Sequence, residues 1–363
     1  MNIRFRFLVA FLATALATIA EDGVKPVSVW DAEAQLYGGL GWRNNVLRTG
    51  VMAEDSAFFQ TSVDASLMWL SETDAFFMFY FFGDDIRYLD AEAVNYEQFL
   101  SATAQYTTPV GANNEASLLV NYLFQHQIVD ASATEVDLRR VLVLGHGLSI
   151  KPSWKRLLPN QWALHFVGLA NGQVYETQLD NYWEGGADAK LSKRYGHQSE
   201  ASIAINPLVR SFDTREQVDL DGAAITDTRL IYYRTESTGA WRHNWDAEKK
   251  WRTLSEFKYL LNMDNGPGYF DYDRLQFRQR VQWRPERWRF DANIRLGSYF
   301  HHHQKVEDEK RWRSYAVFDF RVERELWSWL KTYATAEHEW SESNDPRDTY
   351  KSWMASLGLG FQF

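Results

Sequence analysis

The chain has no cysteine among its 363 residues, which excludes disulfides, thiolate metal sites and lipid attachment through cysteine. Long hydrophobic runs are also lacking. Beyond the N-terminus no stretch reaches the roughly 18 apolar residues a membrane-spanning helix needs, and mean hydropathy is -0.44. A helical membrane protein is thereby excluded. The net charge of -9 comes with positive residues spread along the chain and gathered in no tail or stripe, so no partner is expected among nucleic acids. Neither a glycine-rich phosphate loop nor a repeated metal-ligand spacing is present.

Aromatic residues, by contrast, make up 16% of the chain, with 16 Trp, 18 Tyr and 23 Phe, more than one soluble core uses. Such rings concentrate at membrane interfaces, where an apolar body and a polar tip each find a suitable medium. Negative hydropathy is compatible with a membrane β-barrel, in which only alternate residues of each strand meet lipid.

At the N-terminus Arg4 and Arg6 precede an apolar stretch from Phe7 to Ala20, with small residues at Ala15, Ala17 and Ala20 and then the polar Glu21, Asp22 and Gly23. This is the pattern of a secretory signal peptide. The expected organisation is a signal peptide over 1–20, a short periplasmic lead-in over 21–31 and one β domain over 32–363, without internal linkers.

From Ala32 onward the apolar period is two. Ala34, Leu36, Gly38, Leu40 and Trp42 share one face, with Glu33, Gln35, Tyr37, Gly39 and Arg43 on the other. The alternation is cleanest near the C-terminus, where Leu275, Phe277, Val281 and Trp283 oppose Arg274, Arg278, Arg280 and Arg284. The segments run to ten residues or more, whereas a soluble sandwich uses shorter strands; a tilted bilayer crossing takes about nine to eleven.

Connections alternate in length. Tight turns are expected at 71–74, 109–111, 157–160, 195–196, 246–249, 284–286 and 326–328, and longer polar loops at 49–57, 83–93, 129–137, 172–179, 211–227, 265–269, 301–310 and 341–349. Short turns at one end and long loops at the other are the habit of outer-membrane barrels, whose strand number is even. The expected fold is an all-β transmembrane up-and-down antiparallel β-barrel of about 16 strands, with 14 or 18 as the alternatives because the faces at 94–108 and 141–151 are poorly distinguished. Tryptophans bracket the tight turns (Trp154 with Trp162, Trp245 with Trp251, Trp283 with Trp288), as in an interface girdle; aromatics of a core at sheet ends are the other reading.

The last fourteen residues place Trp353, Ala355, Leu357, Leu359, Phe361 and Phe363 on one face. Through Gly358, Leu359, Phe361 and Phe363 this stretch resembles the closing strand of porin-like β-barrel proteins of Gram-negative outer membranes. The resemblance implies an assembly signal read by the barrel-assembly machinery, contact with outer-membrane lipid and localisation in the bacterial outer membrane; closure of the ring of strands adds the expectation that this strand pairs with residues 32–48.

A barrel of this size is wide enough for a water-filled lumen. Its inner wall is expected to carry a basic ladder of Arg252, Lys258, Arg274, Arg278, Arg280, Arg284, Arg289, Arg295, Arg313 and Arg321, with Asp291, Asp319, Glu323 and Glu337 as lumen-facing acids. The N-terminal inner face is poorer in charge, with Arg43, Asp64 and Glu97. Two readings stand side by side: a cationic pore wall that attracts anionic or polyhydroxylated solutes, and a lattice of ion pairs that props or fills the barrel. Residues 211–227 form the longest external loop and the best candidate to fold inward. The run Phe76 to Phe82, apolar on both faces, suggests packing against a loop or another subunit of a homo-oligomer.

No catalytic constellation or cofactor is expected. His146, Ser149 and His165 lack an acidic orienter at a readable spacing. His301, His302 and His303, beside Glu307, Asp308 and Glu309, are a weak candidate for a divalent cation, with a solvated loop as the other reading. The expected function is an outer-membrane channel for passive diffusion of small polar, anionic or sugar solutes. The alternatives are the barrel component of an exopolysaccharide-export or surface-lipoprotein assembly machine, and a charge-sealed structural or adhesin barrel.

Overall fold

The computed structural model describes residues 29–50, 53–131, 136, 140–176 and 179–363. The expected signal peptide over 1–20 lies outside the described residues, as does all of the expected lead-in except Val29, Trp30 and Asp31.

Eighteen strands follow one another: β1 (Val29–Arg43), β2 (Ser56–Leu70), β3 (Phe76–Tyr88), β4 (Tyr96–Pro109), β5 (Asn114–Asp130), β6 (Arg140–Leu157), β7 (Trp162–Tyr175), β8 (Tyr182–Tyr195), β9 (Ser199–Phe212), the two-residue pair β10 (Gln217–Val218) and β11 (Ala224–Ile225), then β12 (Ile231–Asn244), β13 (Trp251–Asp264), β14 (Tyr272–Trp283), β15 (Trp288–Val306), β16 (Glu309–Trp327), β17 (Leu330–Ser343) and β18 (Tyr350–Gln362). Sixteen of them close into a single barrel, each hydrogen-bonded to its sequence neighbours, with β9 joined to β12 and β18 returning to β1. The barrel's ladders are all antiparallel among the described residues, and closure leaves no open edge for lipid to meet. β10 and β11 form a small hairpin within the longest loop.

The outer wall is a broad belt of exposed apolar side chains, among them Leu40, Phe59, Ile203, Phe257, Phe320 and Leu357. A belt of this extent requires an apolar medium. Rings gather at the tight-turn end, where Trp30 lies 6.1 Å from Trp69, Trp251 5.0 Å from Trp283, and Trp327 5.8 Å from Trp329. These are the interface positions at which an indole body meets lipid and its N–H meets water.

Local polar groups make the tight turns. The Ser71 hydroxyl accepts from the N–H groups of Thr73 and Ala75, Asp246 accepts from Lys250 and Trp251, and Gly111 supplies the positive φ (71°) that ends β4.

Several ends differ from the sequence expectation. β1 starts at Val29, three residues before Ala32. The expected loops at 83–93, 172–179 and 301–310 are partly strand: β3 continues to Tyr88, β7 to Tyr175, and β15 and β16 extend to Val306 and from Glu309. Beyond the apolar belt, side chains of both faces meet water or loops, so the hydrophobic alternation fades while the backbone ladder goes on.

Candidate functional site: the lumen and its outer closure

Because side chains alternate along a strand, the polar face opposite the belt lines the lumen. The predicted ladder lies there and divides according to its partners. Several cations are tied to carboxylates of the same or a nearby strand: Lys258 to Glu236 (3.1 Å), Arg274 to Glu236 (3.2 Å), Arg295 to Asp319 (3.5 Å) and Arg321 to Glu323 (2.6 Å). Arg280 binds Asp291 through two nitrogens at 2.6 and 2.8 Å, and Arg289 reaches Asp291 at 3.4 Å and Glu323 at 3.8 Å. Arg278 and Arg252 are held otherwise, by the amide oxygens of Asn293 (2.8 Å) and Asn244 (3.1 Å). An amide fixes the guanidinium and cancels none of its charge. At the β14–β15 turn Arg284 lies close to the same group, and burial together with the like charges of Arg289 and Arg252 pushes its guanidinium below its usual pKa. The wall thus combines an ion-pair lattice with a positive strip on β13, β14 and the turn that follows.

The long-loop end is built differently. β5 and β6 outgrow their neighbours: the β4–β5 ladder ends at Gln98 and His126 and the β6–β7 ladder at Gly145 and Tyr175, while residues 127–130 and 140–143 pair with each other alone. This free end of the hairpin crosses the mouth. Asp130 on β5 forms an ion pair with Arg313 on β16, seven strands away around a ring of sixteen. Arg140 on β6 donates to the Tyr350 hydroxyl of β18, six strands away, and lies 3.9 Å from Glu339 on β17. Asp130 and Arg140 also bind each other at 2.9 Å.

Further pairs fill the space beneath. Arg43 meets Glu97 at 3.1 Å and Glu337 at 4.0 Å, and the Tyr88 hydroxyl donates to Glu97. Arg48, in the loop after β1, faces Glu339 (3.6 Å) and Glu337 (4.0 Å). Burial alone would lower its pKa, but these carboxylates hold it above its usual range.

Both faces of the crossing hairpin are packed. Ile128 and Leu142 join Val46, Phe58, Ile86, Tyr88 and Val94 in one apolar cluster, and Val141 and Val143 join Ala131, Tyr175 and Leu179 in another. A third cluster sets Val218 and Leu230 of the 213–230 loop against Phe212, Tyr232 and Phe270, with Val136 of the hairpin tip beside it. The 211–227 loop therefore packs at the mouth, but the element that crosses it is the β5–β6 hairpin. Local sequence held no signal for this, since charges such as Asp130 and Arg140 at a loop's ends are ordinarily solvated.

Other singled-out residues do not converge. His301, His302 and His303 are successive residues of β15, so their directions alternate: His301 is buried beside Tyr272, while His302 bonds Asp273 at 2.9 Å. Among the described residues no group of three or more His, Cys, Asp or Glu is placed to hold a metal. His146 lies on the outer face against Phe124, whereas Ser149 is buried on the inner face.

This architecture, an exposed apolar belt around a polar lumen closed at its long-loop end, is that of a transmembrane antiparallel β-barrel of sixteen strands. No protein-family model and no curated protein matches the chain. Among solved structures it is similar to OccAB1 of Acinetobacter baumannii (9% identity, 92% of this chain and 97% of that one covered, TM-score 0.47). It is also similar to the outer membrane protein OpdK of Pseudomonas aeruginosa (10%, 92% and 99%, 0.42) and to a bacterial polysaccharide outer membrane secretin (9%, 94% and 99%, 0.45).

Proposed function

We propose that the protein is an outer-membrane channel for passive diffusion of small anionic or polar solutes, held in a resting state by the β5–β6 hairpin. The observation that supports this most directly is the strip of Arg252, Arg278 and Arg284 beside the ion-pair lattice of the wall. Arg252 and Arg278 are fixed by amides and form no ion pair among the described residues, so their charge stays available to attract an anionic solute. The charge-sealed structural barrel is the second reading, favoured by the packed outer clusters.

Planar-bilayer recording separates the two. The channel reading expects anion-selective conductance, and Arg278→Glu should lower the chloride-over-potassium permeability ratio several-fold, because the charge inverted forms no ion pair among the described residues. Arg321→Gln, which removes a cation bound to Glu323, should change that ratio much less. Equal effects of the two variants would assign the selectivity to total charge and remove the strip from the argument. A purified protein silent under all voltages, alone and with the hairpin undocked, supports the sealed barrel.

The membrane assignment has its own check. Unheated samples should migrate faster than boiled ones in detergent gels, because a closed ladder resists the detergent until heated. Recovery of monodisperse, folded protein without detergent would contradict a lipid-facing belt.

A further inference from the structure

The run Phe76 to Phe82 is apolar on both faces of β3, and the lipid belt accounts for only one of them. Register places Phe77, Phe79 and Phe81 in line with Trp69, Leu67 and Ala65 of the outer face, and Phe76, Met78, Tyr80 and Phe82 in line with Leu70, Met68, Ser66 and Asp64 of the inner face. The inner set extends onto β4, where Phe99 lies 6.0 Å from Phe82. Met68, Phe76, Met78, Phe82 and Phe99 are only half-buried and Leu70 is 48% exposed. None of them belongs to the three clusters that close the outer mouth. The polar groups embedded among them are already engaged with each other, the Tyr80 hydroxyl donating to Asp64 at 2.9 Å.

This apolar patch has a fixed counterpart. β3 and β13 are eight strands apart in either direction around the barrel, so the patch faces the wall formed by β13 and its neighbours. Both features occupy the tight-turn half: Phe76 to Phe82 rise from the turn at 71–75, and Arg252 and Arg278 lie on the halves of β13 and β14 nearest their own turns. The same half of the lumen therefore has an apolar wall on one side and a positive strip on the other. A strongly hydrated ion gains nothing from exposed Phe and Met side chains, which keep water at a cost, and a neutral sugar gains nothing from the positive strip.

We propose that the solute is an amphipathic anion, a single sulfonate- or carboxylate-like group on an alkyl or aryl body, aligned with its charge towards Arg252 and Arg278 and its apolar body towards β3. This rests on the channel reading above and narrows it. In reconstituted bilayers, bi-ionic reversal potentials should show 2-naphthalenesulfonate permeating at least about fivefold better than gluconate, the gain expected from partial burial of an aromatic ring. Met78→Thr with Phe82→Thr should bring that ratio close to one and leave chloride-over-potassium selectivity unchanged. Arg278→Gln should instead reduce the permeation of both organic anions. Conductance with no preference for the aryl anion in the unaltered protein overturns the proposal and leaves the channel reading standing. Absence of conductance for every ion, both in the unaltered protein and with the hairpin undocked by Asp130→Ala and Arg140→Ala, overturns both. A preference that survives the β3 substitutions also overturns it, since the apolar wall would then play no part.

Discussion

Asp130→Ala combined with Arg140→Ala should raise single-channel conductance several-fold over the unaltered protein. The pair removes one charge of each sign, so net charge is conserved, and it removes the ion pair to Arg313 and the contacts to Tyr350 and Glu339 through which the hairpin reaches the far wall. Losing one partner of a desolvated pair costs about 3–5 kcal/mol, and even a balanced double removal forfeits the hydrogen bonds. Local openings of elements held mainly by such contacts lie well below the global unfolding free energy. Residues 127–130 and 140–143 have no wall ladder to hold them, so the hairpin end should leave the mouth while the barrel remains closed, with the detergent-gel shift unaltered. Tyr350→Phe, which deletes only the hydroxyl that accepts from Arg140 and donates to Glu339, should give a smaller increase. If conductance is unchanged in the double variant, the three apolar clusters close the mouth without help from the ion pairs.

The distribution of what sequence could and could not show follows from the range of the interactions. Alternation is a property of adjacent residues, so the outward placement of Leu275 and Phe277 against the inward placement of Arg274 and Arg278 was readable directly, as were the turns built on Ser71 and Asp246. The pairing of residues 350–363 with residues 32–48 was expected from closure and is observed as Gln35 to Arg43 against Gln362 to Met354. Strand ends above the belt were misplaced because no medium imposes a pattern there. The hairpin closure was not readable at all. Its contacts join residues 183 and 210 positions apart, and nothing in the local sequence around Asp130, Arg140 or Arg313 distinguishes a cross-lumen partner from a solvated charge. The two-faced apolarity of β3 was visible, but its reason was not: it became interpretable only when the ring of strands set β3 opposite β13.

Gly358→Val should abolish the folded barrel, the largest effect expected of any single substitution in the wall. The seam between β18 and β1 is rich in glycine: Gly358 pairs with Gly39, and Gly360 with Tyr37. A side-chain carbon at Gly358 would meet the Gly38 carbonyl oxygen, with the Gly39 Cα at 2.7 Å and the Tyr333 hydroxyl at 2.8 Å. The first two are backbone and cannot rotate away. Tyr333 itself is held against Tyr37 (5.6 Å between rings) under the Arg321 guanidinium, 4.9 Å from both. Overpacking in an ordinary core costs about 1–3 kcal/mol because neighbours shift; here the relief available is separation of the two strands, which reopens the barrel and exposes unpaired amides to lipid. Gly38 provides the matched control. It lies in the same seam but faces outward, with nothing within 4 Å of an added side-chain carbon, so Gly38→Val should fold and retain the heat-dependent gel shift. Loss of that shift in Gly358→Val alone would identify close backbone approach as the condition for closure; loss in both would show that β1 tolerates no branched residue in this seam, and retention in both would mean that the strands can part and still seal.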